Sequence, residues 1–264
     1  MINLGTVPFL NSKPLVYALE ENLIDHNFNI TYSPPSSLSK LLFNREIDLG
    51  LIPVAELLKV GNYSVVPNIS ISSKGTVDSV VLVSRKDISS VNTVAVDMRS
   101  QSSTNMLRII FEIFYGKTPN YIKKEPSVEF FDGVDAGMII GDLGLKYKYG
   151  NTNEYKIFDL GEIWNEKTGL PFVYAVFAVN RGVDLGEGID ILKRSKSIGI
   201  RMADQIAEQQ SRIINIPKEV CLKYISSRIG YDLGEEEFKG IIEYSRLLDK
   251  LNISKSISHI EVYS

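Results

Sequence analysis

The chain has 264 residues, 44% of them hydrophobic and 23% charged, with a formal net charge of -3. That is enough for one large domain or two modest ones with a real core. The charge, with no basic run, excludes the electrostatic footprint of a nucleic-acid binder.

One cysteine, Cys221, excludes an internal disulfide, and the two histidines, His26 and His259, are too few and too peripheral for a zinc site. Met1 leads straight into a strand, with no basic segment followed by an apolar run. The longest apolar stretch, 171–179, is far shorter than a membrane span. The expectation is a cytoplasmic protein with no membrane or nucleic-acid partner; nothing in the sequence speaks to oligomeric state.

In chain order, residues 2–4 read as a short buried strand. Pro8 and Pro14 bracket a loop, because proline fixes φ and removes a donor. Helical spacing then runs over 15–23. Asn11, Ser12 and Lys13 therefore fall between a strand's carboxyl end and a helix's amino end, where ligands bind in α/β sheets. The same residues also suit a capped turn with no ligand. A second strand covers 28–32; Pro34 and Pro35 stop it, and Ser37 is expected to cap a helix at 38–44. A buried strand at 48–52 ends at Pro53 and gives way to a helix. Further strands at 65–71 and 79–84 enclose the polar loop 72–78. Strands alternating with helices imply a mostly parallel sheet.

The middle third repeats this grammar. A strand at 93–96 leads into a polar loop, 97–104, and an apolar helix, 106–115. Short strands follow at 128–131 and 136–140, the latter closed by Gly141-Asp142. A helix is read at 143–149, a strand at 156–160 and a helical turn around Trp164. A long apolar strand spans 172–180. The tail is helical, over 189–209, 218–228 and 235–251.

Two α/β halves, one long later strand and a helical tail fit a two-lobed clamshell with a cleft between the lobes. The chain is expected to cross near Arg85 and return along 172–180. That gives one lobe from 1–86 with 178–264 and another from 87–177. A single Rossmann sheet is the rival, ranked lower because no Gly-x-Gly-x-x-Gly follows a strand.

Ser100-Gln101-Ser102-Ser103-Thr104 are either a serine-rich loop with one good cap or an anion cradle at a helix start; the cradle is favoured, since five consecutive polar residues exceed what one cap needs. They suit a carboxylate or phosphate but lack the Walker pattern of a nucleotide triphosphate site. Asp142, after a strand, either projects into the cleft or caps the following helix. Ser79 faces core or cleft; Phe172 closes over a flat ring or is core; Tyr147 and Tyr149 read as surface or packing. No Ser/His/Asp, Cys/His, zinc or Walker set assembles, so chemistry here rests on hydrogen bonds and carboxylates, with no metal and no covalent intermediate.

Taken together, Val7-Pro8-Phe9-Leu10-Asn11-Ser12-Lys13-Pro14-Leu15, Asp48-Leu49-Gly50-Leu51-Ile52-Pro53-Val54, Gly75-Thr76-Val77-Asp78-Ser79-Val80, Ser100-Gln101-Ser102-Ser103, Ile140-Gly141-Asp142 and Thr168-Gly169-Leu170-Pro171-Phe172-Val173 resemble the MqnA family of the futalosine route to menaquinone. The likeness runs in order from residue 1 to about 180. Thr76 stands where that family usually has proline, Ser102 where threonine is common, and Gly144 where alanine is common.

The resemblance implies a type II periplasmic-binding-protein-like clamshell of mixed sheets with two crossover strands. It implies a chorismate dehydratase, which removes water from chorismate to give 3-[(1-carboxyvinyl)oxy]benzoate without a cofactor. On that footing Asn11, Ser79 and Asp142 are the candidate catalytic residues. Asn11 and Ser79 position the enolpyruvyl arm, and Asp142 sits near the departing hydroxyl. Ser12, Ser37, Gly75, Val77, Ser100, Gln101, Ser102, Ser103, Thr104, Gly141 and Phe172 are candidate substrate contacts. The alternative is a non-catalytic binder of small carboxylates, a solute receptor or sensor.

Overall fold

The computed structural model describes residues 1–97, 100–125, 130–150 and 154–263. Its strands are β1 (Ile2–Thr6), β2 (Phe28–Tyr32), β3 (Leu49–Pro53), β4 (Tyr63–Ser73), β5 (Val80–Ser84), β6 (Thr93–Val96), β7 (Asn120–Lys123), β8 (Ala136–Ile140), β9 (Lys156–Asp159) and β10 (Phe172–Asn180). They form two five-stranded sheets, β2-β1-β3-β10-β4 and β7-β6-β8-β5-β9. In the first, β1 runs parallel to β2 and β3, and β10 runs antiparallel to β3 and β4. In the second, β6 is parallel to β7 and β8, while β5 is antiparallel to β8 and β9.

The sheets are linked twice, from β4 into β5 and from β9 back to β10. The first link falls before Val80, earlier than the expected crossing near Arg85. The strand at 79–84, assigned by sequence to the first lobe, belongs to the second sheet, where Val80–Ser84 pairs on both edges and is buried on both faces, its first four residues all apolar. Its side chains alternate: Val80 and Leu82 join the main core, while Val81 and Val83 join a smaller outer cluster under Phe130, Phe131 and Val134. All of β10 lies in the first sheet.

The helices are α1 (Lys13–Glu20), α2 (Pro35–Phe43), α3 (Val54–Val60), α4 (Gln101–Arg108), α5 (Gly141–Tyr149), α6 (Leu160–Thr168), α7 (Gly188–Arg201), α8 (Ala203–Ile214), α9 (Lys218–Lys223) and α10 (Glu235–Lys250). Helix α4 continues into the π-helical segment Ile109–Phe114, and α9 into Tyr224–Arg228.

Four expectations are corrected. Helix α2 is capped by Pro34, so Ser37 lies inside its first turn and caps nothing. One edge of the second sheet is β7, a strand not assigned from the sequence, which pairs with β6. Of the strand expected at 128–131, residues 128 and 129 lie outside the described residues, and Phe130 and Phe131 form a turn. The single helix expected at 189–209 bends at Met202 into α7 and α8. Finally, the tail does not rest on the first lobe alone. Helix α7 ties to α1 through Ser195 Oγ, which donates to Leu15 O at 2.8 Å. Helix α10, however, carries Tyr244, whose hydroxyl donates to Ser102 O in the second lobe at 3.1 Å.

Candidate active site

Val7, Phe9, Asn11, Pro35, Pro53, Val77, Ser79, Ser100, Ser102, Ser103, Gly141 and Tyr174 line one cavity between the sheets. Five of these positions are helix starts. Asn11 lies in the turn before α1, Pro35 opens α2, Pro53 precedes α3, Ser100 caps α4 and Gly141 opens α5. Each amino end carries free N–H groups and about half a positive charge. Amino ends that converge repel one another unless an anion lies between them, and each favours an anion by roughly 1 kcal/mol. No Asp, Glu, His, Lys or Arg lines this cavity among the described residues. Its floor of Leu51, Ile71, Val80, Ile140 and Ile229 is apolar and suits a hydrocarbon ring.

The serines of α4 are arranged by helical geometry. Ser100 Oγ donates to Ser103 Oγ at 2.9 Å, which leaves the Ser103 hydrogen for a ligand. Ser102 Oγ accepts the Ala55 N–H of α3 at 3.1 Å and so joins the lobes at their two helix starts. Gln101 and Thr104 do not line the cavity: the run is a helix rather than a loop, and only one face of a helix turns inward. Thr104 Oγ1 instead donates to Asp97 O at 3.4 Å.

Ser79 is presented by the loop that links the sheets. Asp159, the cap of α6, anchors that loop: its carboxylate accepts from Val77 N at 3.1 Å, Asp78 N at 2.7 Å and Glu162 N at 3.1 Å. Burial pushes the Asp159 carboxyl up, against those three hydrogen bonds. Asp78 is buried with a left-handed φ of 62°, a strained conformation for a residue with a side chain. Arg228 Nε and the Tyr149 hydroxyl donate to its Oδ2 at 2.8 and 2.7 Å. Tyr149 is therefore part of the scaffold under Ser79 and more than surface packing. Gly144 lets α5 approach this loop, since an added Cβ would lie 2.3 Å from Ser79 O.

Other expected contacts lie elsewhere. Ser12 is fully buried, and its Oγ donates to Val7 O at 2.6 Å and Phe9 O at 2.9 Å, so it shapes the loop and does not face the cavity. Ser37 and Gly75 do not line it either; Gly75 supplies a left-handed turn with φ 94°. Phe172 is core, held edge-on against Trp164, Tyr174 and Tyr244.

Asp142 is also displaced from its expected place. It lines a neighbouring pocket with Pro8, Phe9 and Asp97, and its Oδ1 accepts the Leu10 N–H across the cleft at 3.2 Å. Gly141, with φ 64°, turns β8 directly into α5 and aims Asp142 away from the cavity. Burial raises the Asp142 carboxyl pKa, ahead of the opposing Leu10 hydrogen bond and the Lys146 and Lys13 charges. A raised folded-state pKa means ionisation costs stability: the contribution is present below the unfolded value and is lost as pH rises through the folded one. Asp142→Asn keeps an acceptor for Leu10 and removes that cost. Its thermal midpoint at pH 7 is expected to equal or exceed wild type, with the advantage vanishing below pH 4, as melting curves across pH would show.

Sequence patterns gave no sign of Tyr224. It is buried, and its hydroxyl donates to Ser79 Oγ at 2.7 Å from 145 residues away. A single aromatic in a helical tail reads as core, and only the long-range contact distinguishes it.

Two mixed sheets joined by two crossings, with helix starts gathered in the cleft, define a periplasmic-binding-protein-like clamshell. A Candida albicans protein described as having the generic periplasmic binding protein structural fold aligns at TM-score 0.64 and 13% identity, covering 100% of this chain and 98% of that one. A protein from Archaeoglobus fulgidus aligns at TM-score 0.76 and 16% identity, covering 96% and 98% of the two chains. The model of the family described as menaquinone biosynthesis matches residues 2–250, and the chain belongs to that family. Among curated relatives, the chorismate dehydratase of Thermus thermophilus is 24% identical, over 93% of this chain and 94% of its own. The chorismate dehydratase of Campylobacter jejuni is 24% identical, over 95% and 99%.

Proposed function

We propose that this protein is a chorismate dehydratase, converting chorismate to 3-[(1-carboxyvinyl)oxy]benzoate and water. The observation that carries the reading is the cavity itself: an apolar floor ringed by five helix starts and serine hydroxyls. Chorismate is a cyclohexadiene ring with two carboxylates, and this surface complements both the ring and the charges. The family membership and the names of the relatives support the same substrate.

The reaction breaks the C3–H and C4–O bonds. The C3–H electron pair becomes the new ring double bond, and the hydroxyl leaves with a proton as water. Aromatisation supplies the driving force. The protein's share is to bind, orient and exclude water. Ser103 and the α4 amino end hold one carboxylate, and Ser79 holds the other. Among the described residues the lining includes no carboxylate or imidazole, and burial raises the Tyr174 phenol well above its ordinary value, so it stays neutral. A carboxylate of the substrate itself is thus the base in this reading, poised by the groups around it. Asp142, fixed to Leu10 in the adjoining pocket, serves to join the lobes. We place the reaction in the futalosine route to menaquinone and the protein in the cytoplasm.

Mixing purified protein with chorismate and following the aromatic product by proton NMR tests the reading. Accumulation of 3-[(1-carboxyvinyl)oxy]benzoate is expected. Chorismate that protects the protein against heat yet is recovered unchanged would instead mark a carboxylate-binding protein.

A further inference from the structure

Among the described residues, every one that lines the cavity is buried or half-buried. A ligand therefore needs a passage to reach it. The adjoining pocket supplies one. Pro8, Pro34 and Leu143 on its rim are exposed, and it shares Phe9, Pro35 and Ile140 with the cavity as a common wall.

Of these wall residues, Phe9 is the one free to turn. Pro35 is locked in the first turn of α2, its φ fixed by its own ring. Ile140 ends β8, paired with Val80, and its branched Cβ makes it stiff at χ1. Phe9 stands on the irregular segment between β1 and α1. Its backbone is pinned on both sides. The Phe9 carbonyl accepts the Ser12 N–H at 3.1 Å and the Ser12 hydroxyl at 2.9 Å, and the Leu10 N–H donates to Asp142 Oδ1 at 3.2 Å. The ring itself is half-buried and lies over Gly141, where an added Cβ would come 3.6 Å from it. Glycine leaves that space open, so the ring rests against the second lobe without being wedged there.

We infer that Phe9 is a gate: its ring, turning about χ1 on a fixed backbone, opens the wall between the adjoining pocket and the cavity and admits a carboxylated ring without parting the lobes. Parting them would break the Leu10–Asp142, Ala55–Ser102 and Tyr244–Ser102 hydrogen bonds. Turning an apolar ring breaks none of these. Asp97 and Asp142 also line the adjoining pocket, and their carboxylates disfavour a dicarboxylate coming to rest there. That pocket is the passage, and the cavity, with its positive helix ends, is the seat. The inference goes beyond the dehydratase reading and takes from it only the ligand used as a probe.

That probe is 3-[(1-carboxyvinyl)oxy]benzoate, whose ring-proton NMR line shapes give its association and dissociation rates. Phe9→Leu keeps an apolar wall but makes it smaller. Relief of one off-rotamer ring is expected to raise the association rate roughly five-fold, with dissociation rising at least as much. Phe9→Trp enlarges the wall and is expected to slow both rates by a similar factor. A residue that only touches the bound ligand would change dissociation and leave association alone, because altered contacts show mainly in koff. Association unchanged in either variant overturns the inference, since entry is then limited by the lobes and not by the ring. Each variant decides alone should the other fail to fold. A wild type that binds the product and leaves chorismate unconverted, with the rates responding as stated, overturns the dehydratase reading and leaves the gate standing. A wild type that converts chorismate while Phe9→Leu associates no faster does the reverse. A wild type that does not bind the product has no such ligand to admit, and the inference fails with it.

Discussion

Asp159→Ala is expected to destabilise the protein by about 4 kcal/mol and to remove nearly all turnover. The carboxylate caps α6 through Glu162 N and also accepts the backbone N–H groups of Val77 and Asp78. Loss of a helix cap costs about 1 kcal/mol. Two further buried donors left without an acceptor add roughly 1–3 kcal/mol each. The stability loss is not local, because those two donors hold the loop that carries Ser79. Asp78, already in a left-handed conformation, would be free to relax away from Arg228 and Tyr149. Urea unfolding measures the first effect and steady-state kinetics the second. A loss under 1 kcal/mol with full turnover would show that the loop is held by something else.

Ser103→Asp should move stability and activity in opposite directions. Its side chain joins the cavity where the amino ends of α1, α2, α3, α4 and α5 gather. A fixed carboxylate there neutralises those ends and is expected to leave the protein as stable as wild type, or up to about 1 kcal/mol more stable. The same charge opposes the substrate carboxylate. At about 4 Å and an effective dielectric of about 20 the repulsion is roughly 4 kcal/mol, on the order of a thousand-fold in affinity. Melting curves and KM for chorismate report the two halves separately. A lower melting point together with an unchanged KM would mean that the helix starts do not form an anion site.

The parts of this architecture legible in the sequence are those set by local chemistry. Pro8, Pro53 and Gly141 mark strand ends, and the residues that follow them start helices. That is why Asn11, Ser100 and Gly141 were expected near a ligand and do share a cavity. The run Ser100 to Thr104 looked like a uniform cradle, yet the helix begins at Gln101, and helical periodicity turns only Ser102 and Ser103 of its first turn inward, beside the Ser100 cap. Ser12 and Phe172 carried plausible chemistry, but a hydroxyl satisfied by two carbonyls and a ring enclosed by three others have nothing left for a ligand. Tyr224 and Asp159 were invisible for another reason. Their roles depend on partners 145 and about 80 residues away, which periodicity does not encode.

A crystal structure of the protein with 3-[(1-carboxyvinyl)oxy]benzoate bound tests the account most directly. The aromatic ring is expected on the apolar floor between the two sheets, with one carboxylate at Ser103 and the α4 amino end and the other within hydrogen-bond reach of Ser79. A ligand lodged in the adjoining pocket beside Asp97 and Asp142, with the cavity of Asn11 and Ser79 left untouched, would contradict it.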